Sequence, residues 1–327
     1  MDAIGNYSML AMVTAAVIYL FAVFAHAAEW AAARHAGIAV SRAKGRVPVV
    51  VGGRGAEDAE SVEADEPVKE VSAEPAGARL RTDRMGRIGI ALTMVGLLAH
   101  VLAVVLRGVA ADRLPWGNMY EFTSTSLIFV VATHLVLATR FGMRWLGLPV
   151  AMLSTIGLGL AVTVFYVDVA PLVPSLHSAW FAFHIFAATV AGAAFTIGGV
   201  SAILYLLRRR AEEQGVVRGY LVNLPSAEKL DKFTYLLLAF AFPLFTFVIA
   251  AGAIWAQYAW GRYWGWDPKE TWSLVTWAIF AAYLHARSTA GWKGRPAAII
   301  AIVGAVSFWW NFVGINLLVS GLHSYAK

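Results

Sequence analysis

The chain has 327 residues, 59% hydrophobic and only 14% charged, with a mean hydropathy of +0.65. A soluble domain of this length has no need of so much apolar sequence, and several windows of about 20 residues are almost free of charge, the length that crosses a bilayer as helix. The absence of cysteine excludes disulfides, thiolate-held zinc or iron–sulfur centres and a cysteine nucleophile.

In chain order the apolar runs predict eight spans, at 7–28, 88–106, 120–139, 146–166, 178–207, 233–257, 271–287 and 297–319. The expected fold is therefore all-α and polytopic. Residues 1–28 carry the first transmembrane helix, with no positive n-region and no small-residue cleavage site, so that helix is expected to stay. Residues 29–87 form a linker whose centre, GRGAEDAESVEADEPVKEVSAEPAG, is acidic, small and without aromatics, the composition of a disordered insert. Residues 88–327 form a domain of seven further helices. Its fifth span overall is long enough to start before the membrane or to tilt through it, and Pro243 is placed to bend the sixth.

The net charge of +6 invites a nucleic-acid reading, which the placement of the basic residues opposes. The tract 29–87 carries ten Lys and Arg, the turn 139–145 two, the loop 208–232 six and the turn 287–295 three. All of these fall on one side of the predicted topology. Arg107, Arg113, Arg262, Lys269 and Lys327 are all that the other side holds of the total of 26. Such asymmetry marks a cytoplasmic face. A plasma-membrane protein with both termini and the 255–272 loop on the outer face follows, and no nucleic-acid partner is expected.

That outer loop contains WGRYWGWDPKETW, residues 260–272. Membrane proteins place scattered Trp and Tyr at the interface. Here Trp255, Tyr258, Trp260, Tyr263, Trp264, Trp266, Trp272 and Trp277 gather around one connection. Gly261 and Gly265 allow tight turning or close approach to a flat ligand. Asp267 is suited to cap the seventh span, with Pro268 in its first turn and Glu270 at capping-box spacing. The local fold presents indoles, which suit a planar apolar ligand, a quinone or a lipid tail.

Eight histidines are available. His184 sits just inside the outer end of span five and His323 follows span eight, both at the level of the tryptophan loop. Neutral imidazoles are common axial ligands of haem iron, and two can clamp it from opposite faces. Each alone reads as a packing or interfacial residue; together with the aromatic loop they make haem the economical ligand. His285 lies near the inner end of span seven, where an ionisable residue within the membrane is a functional candidate. His26, His134 and the deeper His100 are its possible companions, the first two matching its depth best. His177 and His35 lie in connections, as solvated surface.

WGRYWGWDPKETWSLVTW resembles the tryptophan-rich WWD signature of the haem-handling proteins of system II cytochrome c biogenesis, the CcsA/ResC type, also called CcsB. LPWGNMYEF at 114–122, PLVPSLHSAWFAFH at 171–184, YLHAR at 283–287 and NFVGINLLVSGLHSY at 311–325 follow the family pattern in order, so the similarity spans 88–327. The resemblance implies that His184 and His323 are the axial ligands of an external haem b. It implies that Trp260, Trp264, Trp266, Asp267 and Trp272 belong to that site, and that His285 belongs to an inner haem site completed in part by a ResB-like subunit. It further implies a subunit of a cytochrome c haem lyase (synthase) that presents haem to the Cys-x-x-Cys-His segment of an exported apocytochrome c, served by thiol-reducing thioredoxin-like proteins. No residue is an obvious proton-transfer catalyst. Two other classes remain open on residues alone: an electron-transfer subunit binding haem or quinone permanently, and a transporter of a small apolar substrate, for which broken helices would be expected.

Overall fold

The computed structural model describes residues 3–33, 37–39, 76–289 and 291–323. Residues 40–75, on which the expectation of disorder falls, lie outside them, as does His35. Each predicted span is a helix: α1 (Ala3–Ala32), α2 (Ala76–Ala111), α3 (Met119–Phe141), α4 (Gly147–Thr163), α5 (Ala179–Glu213), α6 (Ala227–Trp260), α7 (Pro268–Ser288) and α8 (Arg295–Trp309). The last continues through a π-helical turn, Trp310–Gly314, into a short α9 (Ile315–Leu318). Several helices overrun the apolar window that announced them, because backbone hydrogen bonding continues past the hydrocarbon boundary while hydropathy does not. Among the described residues, 7 helices are long and apolar enough to cross a membrane. The exception is α7, which carries Lys269 and Glu270 at one end and His285 and Arg287 at the other. The molecule is a polytopic helical membrane protein.

Small residues let these helices approach, since helix association in lipid depends on close packing. The buried positions of α1 include Gly5, Ser8, Met12, Ala15, Tyr19 and Ala22, three or four residues apart, and form one stripe. Gly96 of α2 packs so close to Tyr19 that an added Cβ would lie 2.8 Å from its ring. In α5, Ala191, Gly192, Ala194, Gly198, Gly199 and Ala202 are buried, and a Cβ on Gly199 would meet Ala305 of α8 at 2.6 Å. Helices α1 to α4 pack mainly among themselves, as do α5 to α8, with contacts between α3 and α5 joining the two groups. Pro243 is accommodated within α6, which runs on to Trp260.

The basic connections meet at one end. β1 (Gly37–Ala39) pairs antiparallel with β2 (Val216–Arg218), in the loop after α5, with Ile38 opposite Val217. Arg144, in the turn before α4, bonds Asp83 of α2 at 2.7 Å. A Cβ on Gly294, before α8, would lie 2.5 Å from Arg209 Nη1 of α5. At the opposite end a buried ion network holds the α2–α3 connection. Glu121 accepts from Arg107 Nε at 2.9 Å, from Arg113 Nη1 at 2.7 Å and from the Gly117 amide at 2.8 Å. Asn118 caps α3 by accepting from the Glu121 amide. The segment 113–119 is thereby pinned over the end of the bundle that carries the tryptophan loop.

Candidate functional site

Beneath that segment opens a cavity of about 1160 Å³, counting its mouth and the open space before it, between the start of α3 and the adjoining ends of α5, α6, α7 and the π-helical turn. His184, His323, Trp260 and Trp264 all line it.

The two imidazoles are held alike from different parts of the chain. His184 Nδ1 lies 2.8 Å from the Val248 carbonyl of α6. A carbonyl can only accept, so Nδ1 carries the proton and Nε2 the lone pair. Gly252 makes this possible, since a Cβ there would lie 2.8 Å from the same Nδ1. His323 Nδ1 lies 2.9 Å from Asp267 Oδ1, which again places the proton on Nδ1 and the lone pair on Nε2. Both rings pack on Trp255: His184 stacked at 5.9 Å between centroids, His323 edge-on at 5.9 Å. This second-residue orientation of a histidine fixes tautomer and aim, as at metal sites generally.

Asp267 does three jobs. It caps α7 with the full capping box expected from Pro268 and Glu270, it bonds His323, and Oδ2 accepts from the Leu322 amide at 2.7 Å. Burial alone would raise its carboxyl, but the bonds from His323, Leu322 and Lys269 outweigh that and hold it at about 2. Burial lowers His323 more than the Asp267 bond raises it, so the pair is a neutral imidazole on an ionised carboxylate.

The indoles divide by role. Trp255 Nε1 donates to Ser175 O at 2.8 Å, Trp272 Nε1 to Ser307 O at 3.1 Å and Trp277 Nε1 to Thr246 Oγ1 at 2.9 Å. These three tie helices and loops together, and Trp272 packs α7 on α8. Trp260 packs against both Trp255 and His323. Trp266 is 68% exposed, touches Trp264 edge-on at 5.8 Å, and holds a left-handed φ of 58°, a conformation few bulky residues adopt. It stands at the rim, outside the cavity lining.

Residue reading had not singled out Trp116, Lys269, Asn311 or Asn316, which also line the cavity. Trp116 Nε1, Asn311 Oδ1, Asn316 Oδ1 and Glu270 Oε1 are buried atoms with no hydrogen-bond partner. Unsatisfied buried polar atoms are rare in native proteins and call for an explanation. All four residues line the cavity, where polar groups of a ligand would satisfy them. The motif LPWGNMYEF was the available signal for Trp116; nothing in the spacing showed that Lys269 faces inward.

The inner histidines are arranged differently. His26 and His134 are buried and face each other at 6.4 Å between ring centroids, nearly perpendicular. His26 Nδ1 bonds Glu29 at 3.2 Å, and Gly89 packs against the His26 ring. His100 bonds Tyr19 OH at 3.4 Å. His285 is exposed on α7, with Thr289 Oγ1 3.4 Å from its Nδ1. Helix α7 packs on α6 and α8, whereas α1 packs on α2 and α4, so the structure pairs His26 with His134 and leaves His285 on the outside of the bundle. His177 bonds the Leu172 carbonyl in its own loop.

Two oriented imidazoles thus line one aromatic cavity at one end of a helical membrane protein. The sequence pattern of the family described as "Cytochrome C assembly protein" matches residues 89–323, and the chain belongs to that family. It is 33% identical over 286 residues to "Cytochrome c biogenesis protein CcsA" of Porphyra purpurea, covering 75% of this chain and 89% of the relative. It is 33% identical over 302 residues to the protein of the same description from Gloeobacter violaceus, with 76% and 89% covered. The Synechococcus relative is 35% identical over 298 residues, with 73% and 84% covered. The role of the chain lies in cytochrome c biogenesis.

Proposed function

We propose that this chain is the haem-handling subunit of a system II cytochrome c synthase, holding haem b in the outer cavity between His184 and His323 and presenting it to exported apocytochrome c. The observation that carries the reading is the matched orientation of the two imidazoles, each with Nδ1 bonded to the protein and Nε2 as the ligating nitrogen. Each thiol of the Cys-x-x-Cys-His segment adds across a vinyl group, sulfur to one carbon and hydrogen to the other, with no net redox change. The incoming histidine must replace one axial ligand. His323, on the segment that follows α9 and is held through Asp267, is the exchangeable one; His184, built into α5, is the fixed one. No residue here is assigned a proton-transfer role, so the chain's contribution to the lyase is positioning.

The basic end of the bundle, where β1, β2, Arg144 and Gly294 converge, supports a cytoplasmic face there and an outward cavity in the plasma membrane. Exposed His285 supports an inner haem site shared with a ResB-like subunit. Thioredoxin-like proteins would keep the client thiols reduced.

The test is the visible spectrum of the detergent-purified chain with its ResB-like partner, for wild type, His184→Ala and His323→Ala. A bis-histidine spectrum lost or converted in both variants is expected. Wild-type haem unchanged in both would remove the axial assignment and return the electron-transfer reading.

A further inference from the structure

Among the described residues, Lys269 is the one lysine or arginine on the cavity wall. It stands in the first turn of α7, and its Nζ has a single bond, a long one of 3.5 Å to the Asn311 carbonyl. An ammonium group has three protons to donate. The neighbouring carboxylates make their bonds elsewhere, and only Glu270 Oε1 is left without a partner. Glu270 Oε2 accepts from the Gly265 and Asp267 amides at 2.8 and 3.0 Å, and Asp267 is held by His323, Leu322 and the Lys269 amide. No ion pair involves Lys269 among the described residues. Donor capacity left unmet beside an apolar cavity is costly. The unpartnered Trp116 indole N–H also lines the cavity and is a second donor.

We propose that Lys269 is a carboxylate-binding residue, pairing through Nζ with a propionate of the bound haem and so fixing which edge of the macrocycle points into the wall. The inference rests on the haem reading given above and adds the recognition of the ligand's acidic edge. A propionate held at the α7 wall turns the opposite, vinyl-bearing edge away from it. Orientation, which axial ligation alone leaves free about the iron axis, is then set by an ion pair. Because the cation lies in the same first turn that Asp267 caps, ligand binding and positioning of His323 are coupled through a single helix end. The subsite distinguishes free-acid porphyrins from esterified or otherwise uncharged ones.

The test compares titration of haem and haem dimethyl ester into the full chain co-purified with the ResB-like subunit, for wild type, Lys269→Met and Lys269→Arg. Wild type is expected to prefer the free acid by about ten- to a hundredfold, the range of one charge-assisted bond. Lys269→Met should bind both compounds with the wild-type affinity for the ester, which also shows that the variant is folded. Lys269→Arg should restore the preference. A wild type without preference, or a Met variant that keeps it, overturns the inference while leaving the haem reading intact. If the Met variant binds neither compound, the Arg variant decides: preference retained upholds the role of the cation, preference lost overturns it. A wild type that binds neither compound overturns the haem reading and this inference with it.

Discussion

Replacing Asp267 by Asn tests whether the His323 imidazole is held by a carboxylate for a purpose. Oδ1 accepts from His323 Nδ1 at 2.9 Å and from the Lys269 amide at 3.0 Å, while Oδ2 accepts from the Leu322 amide at 2.7 Å. An amide has one accepting oxygen, so its NH2 group must face either Leu322 N–H or the imidazole N–H, donor against donor. Losing one charge-assisted bond costs ~1.5–3 kcal/mol. Outer-shell partners of metal-ligating histidines are commonly worth ~10–100-fold in affinity, or ~1.4–2.7 kcal/mol, so the two routes agree. A Soret titration should show Asp267→Asn weakened by about that factor, with helix content by circular dichroism preserved. In a His323→Ala background the same substitution should have almost no further effect on affinity. An equal loss in both backgrounds would refute the argument, because Asp267 would then act other than through His323. The pH dependence has a definite sign. The folded carboxyl is held at about 2, below its ordinary value, so its stabilisation is present above pH ~4 and is lost as pH falls toward the folded value.

Gly252→Ala should drive the His184 ring off Val248, since the new Cβ would lie 2.8 Å from Nδ1; haem absorbance is expected to fall at least tenfold in affinity with the helical spectrum kept. Glu121→Gln leaves Arg107, only 3% exposed, without its ionised partner. Breaking a buried ion pair from one side costs ~3–5 kcal/mol, which thermal unfolding in detergent would read as a clear drop in midpoint. Trp266→Gly should hold or slightly raise that midpoint, because glycine accepts the φ of 58° that costs an L-residue ~1–2 kcal/mol.

Much of this was legible in the chain because it is local. Apolar runs announced the long helices, α7 included although its composition falls short of a span, and Asp267, Pro268 and Glu270 announced the α7 capping box because a cap is decided within four residues. Both outer histidines could be placed at one depth by counting from helix ends. What could not be read is everything set by a distant partner. Trp272 and Trp264 look alike in sequence, yet Trp272 ties α7 to the Ser307 carbonyl while Trp264 faces the cavity. The pairing of His26 with His134, and the exposure of His285, follow from which helices pack, a matter of tertiary contact rather than depth. Lys269 was counted as one more outer charge, since its facing depends on the rotation of α7 about its own axis.

That rotation bears on how the protein is made. Helix α7 joins the apolar α6 to the apolar α8, and among the described residues it is the one long helix whose composition falls short of a membrane span. A segment with charged residues in both end turns partitions poorly from the translocon into lipid on its own. Its entry should therefore wait for a neighbour, with Trp277 bonding to Thr246 of α6 and Trp272 to Ser307 of α8 serving as the contacts that retain it. The helix that brings Asp267 and Lys269 to the cavity is thus kept in the bilayer by its fellow helices more than by the lipid. Chains in which those two bonds are removed should accumulate with α7 stranded on one side of the membrane, a defect of insertion that glycosylation or cysteine-accessibility mapping would reveal before any defect of haem chemistry.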